Sequence, residues 1–326
     1  MVGTKEDFKI YDEQYFLGQS EVLQQYTDVF NAGSNGAIQL VTNSIKGDFE
    51  HQSFIKKVTG GTVSHRDITS TSAITAAKME QDEMIAPKVN RRIGPNSNTL
   101  DQWKKINEDP RMFSYFYGRQ TAEDMTADWL NTSVLAAVAC FEAEDSNMVY
   151  NATGLSDKEL RTEYLVRGLK LLGDRAQRIR AWVMHSHAFY ELVEGQILDK
   201  VTNVADVVIY GGVPGSLGRP IIVTDSPALV DEQTTGNDHY YTLGLTDSAI
   251  VCTQSEDQNV VSQIEVGKEN LIMTIQGEFA YNARVKGFSF GGSTPNPDDS
   301  VLGDPLNWEF MYHDVKMGPG VAIKTE

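Results

Sequence analysis

Cysteine is scarce: the 326 residues hold two, Cys140 and Cys252, each in an apolar stretch. Two such thiols build no disulfide framework, and buried, reduced side chains are expected. Long apolar runs are missing as well. The longest, Val134 to Phe141 (VLAAVACF), falls far short of the roughly 18 residues that a membrane span needs. The first residues (MVGTKEDFKIYDEQYF) are acidic, where a secretory leader has a basic start and an apolar stretch. The expectation is a chain made and kept in a cytoplasm. Positive charge is the third shortage. Lys and Arg total 28 against 45 Asp and Glu, a net charge of -17. A dedicated nucleic-acid binder is excluded by that balance, because it needs a positive footprint to displace counterions from phosphates.

What is present is ordinary for a soluble globular chain, with 40% apolar and 22% charged residues, enough to build a sizeable core. The charge is unevenly spread. Residues 1–50 balance at -5, residues 51–120 at +4, residues 121–200 at -5 and residues 201–326 at -11. One positive segment therefore interrupts a negative chain. Such a segment is suited to reach out and dock on the acidic surface of another copy, where opposite potentials set register and speed encounter.

Periodicity gives a mixed sequence of elements. Asp12 to Phe30 is read as one or two short helices, closed by the turn cluster NAGSNGA. Phe49, Phe54, Ile55 and Val58 precede Gly60-Gly61, and TVSHRDITSTSAIT follows. The β-branched and hydroxyl residues there predict an extended hairpin that projects into solvent, with Lys88, Arg91 and Arg92 on its return side. The strongest helix is predicted over 121–144, with Thr121 as its N-cap and Met125, Trp129, Leu130, Val134, Val138 and Phe141 on one face. A second is predicted from Asp157 to Leu172, capped by Gly173. Strands are expected at Ile179–Met184, Val207–Tyr210, Pro220–Thr224, His239–Leu245, Ala249–Cys252 and along Glu269–Phe290, with a helix from His187 to Leu198. The class is α+β.

Candidate chemistry is thin. The loop Gly211 to Pro220 (GGVPGSLGRP) lacks the Lys-Ser/Thr ending of a phosphate-binding loop and the spaced glycines of a dinucleotide fingerprint. His185 and His187 straddle an expected strand-to-helix corner, which is expected to turn them apart. The acidic pairs Glu256-Asp257 and Asp298-Asp299 read as solvated loop residues. Nothing assembles a nucleophile, a base and an oxyanion donor, and no cofactor or metal is expected.

The order of elements resembles the major capsid proteins of tailed bacteriophages with the Hong Kong 97-like fold. The resemblance rests on the corner from Val183 to Leu192 (VMHSHAFYEL), on LGRPIIVTDSPAL at Leu217 to Leu229, and on SHRDITSTSAITAAKMEQDEMIAPKVNRRIGP. It implies an N-terminal arm (1–45), an extended β-hairpin loop (46–112), a peripheral domain (113–173 and 269–326) with a spine helix at 121–144, and an α/β axial domain (174–268). It also implies self-assembly into pentamers and hexamers that close an icosahedral shell. The shell would be built in the host cytoplasm around non-specifically held double-stranded DNA. Scaffolding, portal and decoration proteins are the implied partners, and no membrane is. Lys56, Lys57, Arg66, Lys88, Arg91 and Arg92 are the expected intersubunit contacts. The coiled-coil scaffolding stretch of some relatives is not visible, and no Lys–Asn cross-link is expected. The rival classes are a cytoplasmic α/β enzyme using the 211–220 loop, and another phage structural component such as a tail-tube or decoration protein.

Overall fold

The computed structural model describes residues 14–21, 23–24, 31, 33–42, 47–56, 62–63, 65–66, 68–74, 76, 78–99, 110–202, 218–234 and 236–326. Two sheets share one long helix. The five-stranded sheet has the order β1 (Ile38–Thr42), β9 (Ile250–Glu265), β10 (Ile272–Val285), β3 (Gln81–Thr99), β2 (Phe49–Ile55). The second sheet runs β4 (Val149–Asn151), β13 (Gly320–Thr325), β8 (His239–Thr246), β5 (Ile179–Met184), β6 (Ile221–Val223), with β7 (Val230–Asp231) also on β8. A small ladder joins β11 (Phe288–Phe290) to β12 (Trp308–Phe310).

Helix α1 spans Pro110–Glu142, about 50 Å at 1.5 Å per residue. It begins eleven residues before the expected start. Proline is tolerated in a first turn, and Thr121, expected as a cap, instead returns its hydroxyl to the Tyr117 carbonyl at 2.9 Å inside the helix. Met125 and Trp129 pack on Phe279 and Tyr281 of β10, while Ala136, Ala137, Cys140 and Phe141 join Val183, Leu243 and Ala322 of the second sheet in the same core. At its other end, Gly118 lets the helical residues 14–21 cross at contact distance. A Cβ there would strike the Tyr15 backbone, and one at Gly18 would strike that of Tyr115.

The second sheet is covered on both faces. Its far side carries α2 (Thr162–Leu172) and α3 (Ser186–Thr202), closing a second core of Leu160, Leu165, Leu172, Trp182, Met184 and Leu192. Burial on both sides explains why β5 reads as a nearly continuous apolar run. Gly244 is required beneath Trp182, since a Cβ would sit 2.5 Å from the indole ring. Gly173 caps α2 at φ 53°. Helix α2 starts at Thr162 rather than Asp157, because the Glu191 carboxylate takes the Leu160 amide at 3.0 Å and holds the preceding turn open.

Strand pairing cuts across the expected domain limits. The short strand expected at Ala249–Cys252 in the axial domain is the start of a longer one, Ile250–Glu265. This sixteen-residue strand is antiparallel to β10 from Ile250↔Val285 to Glu265↔Ile272. The C-terminal strand β13 lies between β4 and β8, not with β10. The hairpin forms between Phe49–Ile55 and Gln81–Thr99. The Thr/Ser-rich stretch expected as strand carries no ladder among its described residues. The expected strand 207–210 lies outside the described residues. No helix among the described residues is long and apolar enough to cross a membrane.

Candidate assembly surfaces

The six expected contact cations fall into different settings. Lys88 is 5% exposed and paired with Glu256 across the sheet. Arg91 leaves β3 toward the spine helix. Its Nε donates to Asp128 Oδ2 at 3.0 Å, and its Nη2 donates to Thr132 Oγ1 at 3.0 Å and to Asp299 Oδ1 at 2.6 Å. The Tyr281 hydroxyl donates into the same group, 2.9 Å from both Asp128 and Thr132. Burial works against the Arg91 charge, but Tyr281, Asp299 and Asp128 outweigh it and hold the guanidinium above its ordinary value. Lys56 bridges to Asp82 at 2.5 Å, tying β2 to β3 at the hairpin's outer end. Arg66 and Arg92 are exposed, and Lys57 lies outside the described residues. Three of the six thus serve their own chain first.

The acidic pairs also take structural work. Glu256 is the partner of Lys88, Asp298 caps the short helix α4 (Asp299–Leu302) by accepting from the Val301 amide at 3.0 Å, and Asp299 receives Arg91. None of these three is the free loop carboxylate expected. A cluster not anticipated closes the far end of α1. Lys324 Nζ lies 2.7 Å from Asp231, 2.7 Å from the Tyr241 hydroxyl and 3.3 Å from Glu142. Burial opposes the charge on Asp231, but Lys324 and then His239 hold its carboxyl below the ordinary value.

His185 and His187 are not turned apart. Their rings rest on the same Tyr240, at 5.2 and 4.5 Å between centroids. Each faces a carboxylate of its own, Asp225 at 3.7 Å and Glu191 at 3.2 Å. Among the described residues no group of His, Cys, Asp and Glu is placed to hold a metal. Both thiols are free and buried, and burial pushes Cys252 up to about 12. Residues 211–217 of the glycine loop lie outside the described residues.

Three of the most exposed large apolar side chains lie on the hairpin. Val63, Ile68 and Ile74 are 89%, 85% and 93% exposed, with Ile55 and Met79 beside them in sequence. An isolated chain does not ordinarily leave so many large apolar side chains on one projection. The model of the Gp13-like family (major capsid protein 13-like) matches residues 7–322. The chain belongs to that family.

It is therefore a structural subunit of a phage head shell and not an enzyme, and its place is the virion capsid. Solved structures agree on the fold. The chain is similar to the capsid of Ralstonia phage GP4 at 12% identity and TM-score 0.50, over 90% of this chain and 87% of that one. It is similar to the cyanophage Pam1 capsid at 9% identity and TM-score 0.51, over 88% of each. Mycobacterium phage Bobi matches at 11% and 0.51, over 87% of each. The shared fold is the Hong Kong 97-like one. No curated protein matches the chain.

Proposed function

We propose that this capsid protein assembles into pentamers and hexamers and closes an icosahedral shell around double-stranded DNA in the host cytoplasm, with scaffolding and portal proteins as partners. In that reading the five-stranded sheet with α1 is the peripheral unit. The six-stranded sheet with α2 and α3 gathers around the local axes, and the β2–β3 hairpin lies over a neighbour. The observation that carries it is the set of exposed apolar residues on the hairpin, Val63, Ile68 and Ile74, in the one stretch of the chain with positive balance. A neighbour that offers an apolar patch within a negative surface satisfies both features. Of the six candidate cations, Arg66 and Arg92 are the exposed contacts, whereas Lys88 and Arg91 act indirectly by holding the blade they sit on.

The test is particle size. The chain alone, and with 57–79 replaced by a short Gly-Ser turn, is followed by light-scattering chromatography and negative-stain microscopy. The full chain is expected to reach megadalton shells or five- and six-membered rings. The shortened chain is expected to stay folded and stop at small oligomers. Closed particles from the shortened chain would refute the hairpin's role, and a permanent monomer from the full chain would refute the assembly reading.

A further inference from the structure

Eleven described Lys and Arg side chains of this acidic chain pair with a carboxylate, and among those that do not, four gather at one end of the six-stranded sheet. Arg175 and Arg178 lie exposed on the 3-10 turn Gly173–Arg178 that links α2 to β5. Arg178 reaches the Lys316 carbonyl at 3.5 Å, Arg219 the Ala176 carbonyl at 2.9 Å, and Lys286 the Asp247 carbonyl at 2.8 Å. Among the described residues none of these four has a carboxylate within ion-pair distance. Lys316 completes the group and is the one with a partner, Asp174 at 2.6 Å. Burial first, then the nearby Arg178, pulls Lys286 below its ordinary value, a sign that like charges are crowded here. With 45 carboxylates in the chain, this unpaired cluster is a feature of placement and not of shortage.

The opposite end of the same sheet mirrors it. A cavity of about 720 Å³ is lined by Asp157, Glu159, Glu191, Asp238 and Glu326, against Lys158 and Arg161. Lys158 and Arg161 are taken by Glu326 and Asp157. That leaves Glu159 and Asp238 without a Lys or Arg among the described residues, and Glu191 with the His187 ring and the Leu160 amide but no Lys or Arg. Burial first, and further down Glu159 and Glu194, push Glu191 above its ordinary value. The two ends are joined by continuous strands. β8 runs from His239, beside the cavity residue Asp238, to Thr246, next to the Asp247 carbonyl that Lys286 holds. β5 runs from Ile179, after Arg178, to Met184, three residues before His187. Eight strand residues separate the ends by about 26 Å.

We propose that the six-stranded unit docks head-to-tail between copies, the basic turn of one subunit seating on the acidic cavity of the next. Resting on the assembly reading above, this names the surfaces that would pair around an axis. A heterologous contact of this kind generates a ring when its rotation closes. Charge complementarity selects a second copy as the occupant, because each copy carries both halves. A nucleic-acid phosphate backbone would use the basic end and leave the acidic one without a role.

The experiment is a charge swap in the full chain. Variant one carries Arg175→Glu and Arg178→Glu, so both ends are acidic. Variant two carries Asp157→Lys and Glu159→Lys, so both ends are basic. A third carries all four changes. Sedimentation velocity is read for each alone, for wild type, and for variants one and two mixed. The expected result is a roughly tenfold lower assembled fraction for each single-end variant, with recovery in the mixture and in the four-change chain. Recovery also shows that the changes left the fold intact. Wild-type assembly with no loss in either single-end variant overturns the head-to-tail contact and leaves the shell reading standing. So does a variant one that builds shells but no longer retains added DNA. Loss in the single-end variants without recovery in either the mixture or the four-change chain overturns it as well. A wild-type chain that never passes monomer overturns both.

Discussion

Arg91 ties the spine helix to the five-stranded sheet. It meets Asp128 and Thr132 of α1 and Asp299 of α4 from one strand. Arg91→Ala strips the group of its cation and leaves Asp128 with the Tyr281 hydroxyl alone. We expect a loss of about 2–3 kcal/mol in urea unfolding, below the full figure for a buried pair because Asp299 is open to solvent. Arg91→Lys keeps the charge and loses the planar fork, so it should recover less than half of that. Asp231 offers a pH test. Its carboxyl is held below the ordinary value by Lys324, so the native state binds this proton more weakly than the unfolded chain. The stability it adds is present above the unfolded value of about 3.9 and is lost as pH falls through the folded one. The unfolding midpoint of wild type should exceed that of Asp231→Asn at neutral pH and converge on it in acid. A gap that widens in acid would reverse the sign and sink the assignment. None of these partners is legible in the sequence, because ion pairs 37 and 208 residues apart exist only once the topology is known.

At the scale of elements, legibility followed periodicity. Helices α1 and α2 and strands β5, β8 and β10 show in the sequence because each buries a regular set of apolar positions. Strand β9 shows only at its start, Ile250–Cys252, since the TQSEDQNVVSQIE that follows is polar on both faces. That stretch is held as a strand by its ladder to β10 and by its own Val260 and Ile264, which pack against Met273 and Ile275, a tertiary effect that outweighs local composition. The first turns of α1 were equally hidden, because the Gly118 that weakens a helix on propensity is needed for the crossing of residues 14–21. That crossing is testable. Gly118→Val places a branched side chain against the Tyr15 backbone and should cost about 1–3 kcal/mol. Limited proteolysis should then cut within 14–24 much faster than in wild type. Unchanged cleavage would mean that the amino-terminal helix does not depend on this approach.

For the whole molecule, the governing quantity is a net charge of -17 on a protein whose work is to pack against itself. Two electrostatic effects then act over different ranges. Repulsion between whole subunits is long-ranged and is screened early, the Debye length falling from about 30 Å at 0.01 M to about 10 Å at 0.1 M salt. Contact pairs, such as those that Arg66 or the basic turn would make with a neighbour, act within a few ångströms. They weaken mainly as the screening length nears about 3 Å at 1 M. Assembly should therefore rise with salt, pass a maximum and decline. The apolar hairpin contact, which salt does not weaken, should keep the decline incomplete. Light scattering against salt at fixed protein concentration reads this directly. A monotonic fall from the lowest salt would mean that pairing between opposite patches outweighs the net repulsion at every distance. A monotonic rise would mean that the hairpin's apolar residues alone carry the lattice.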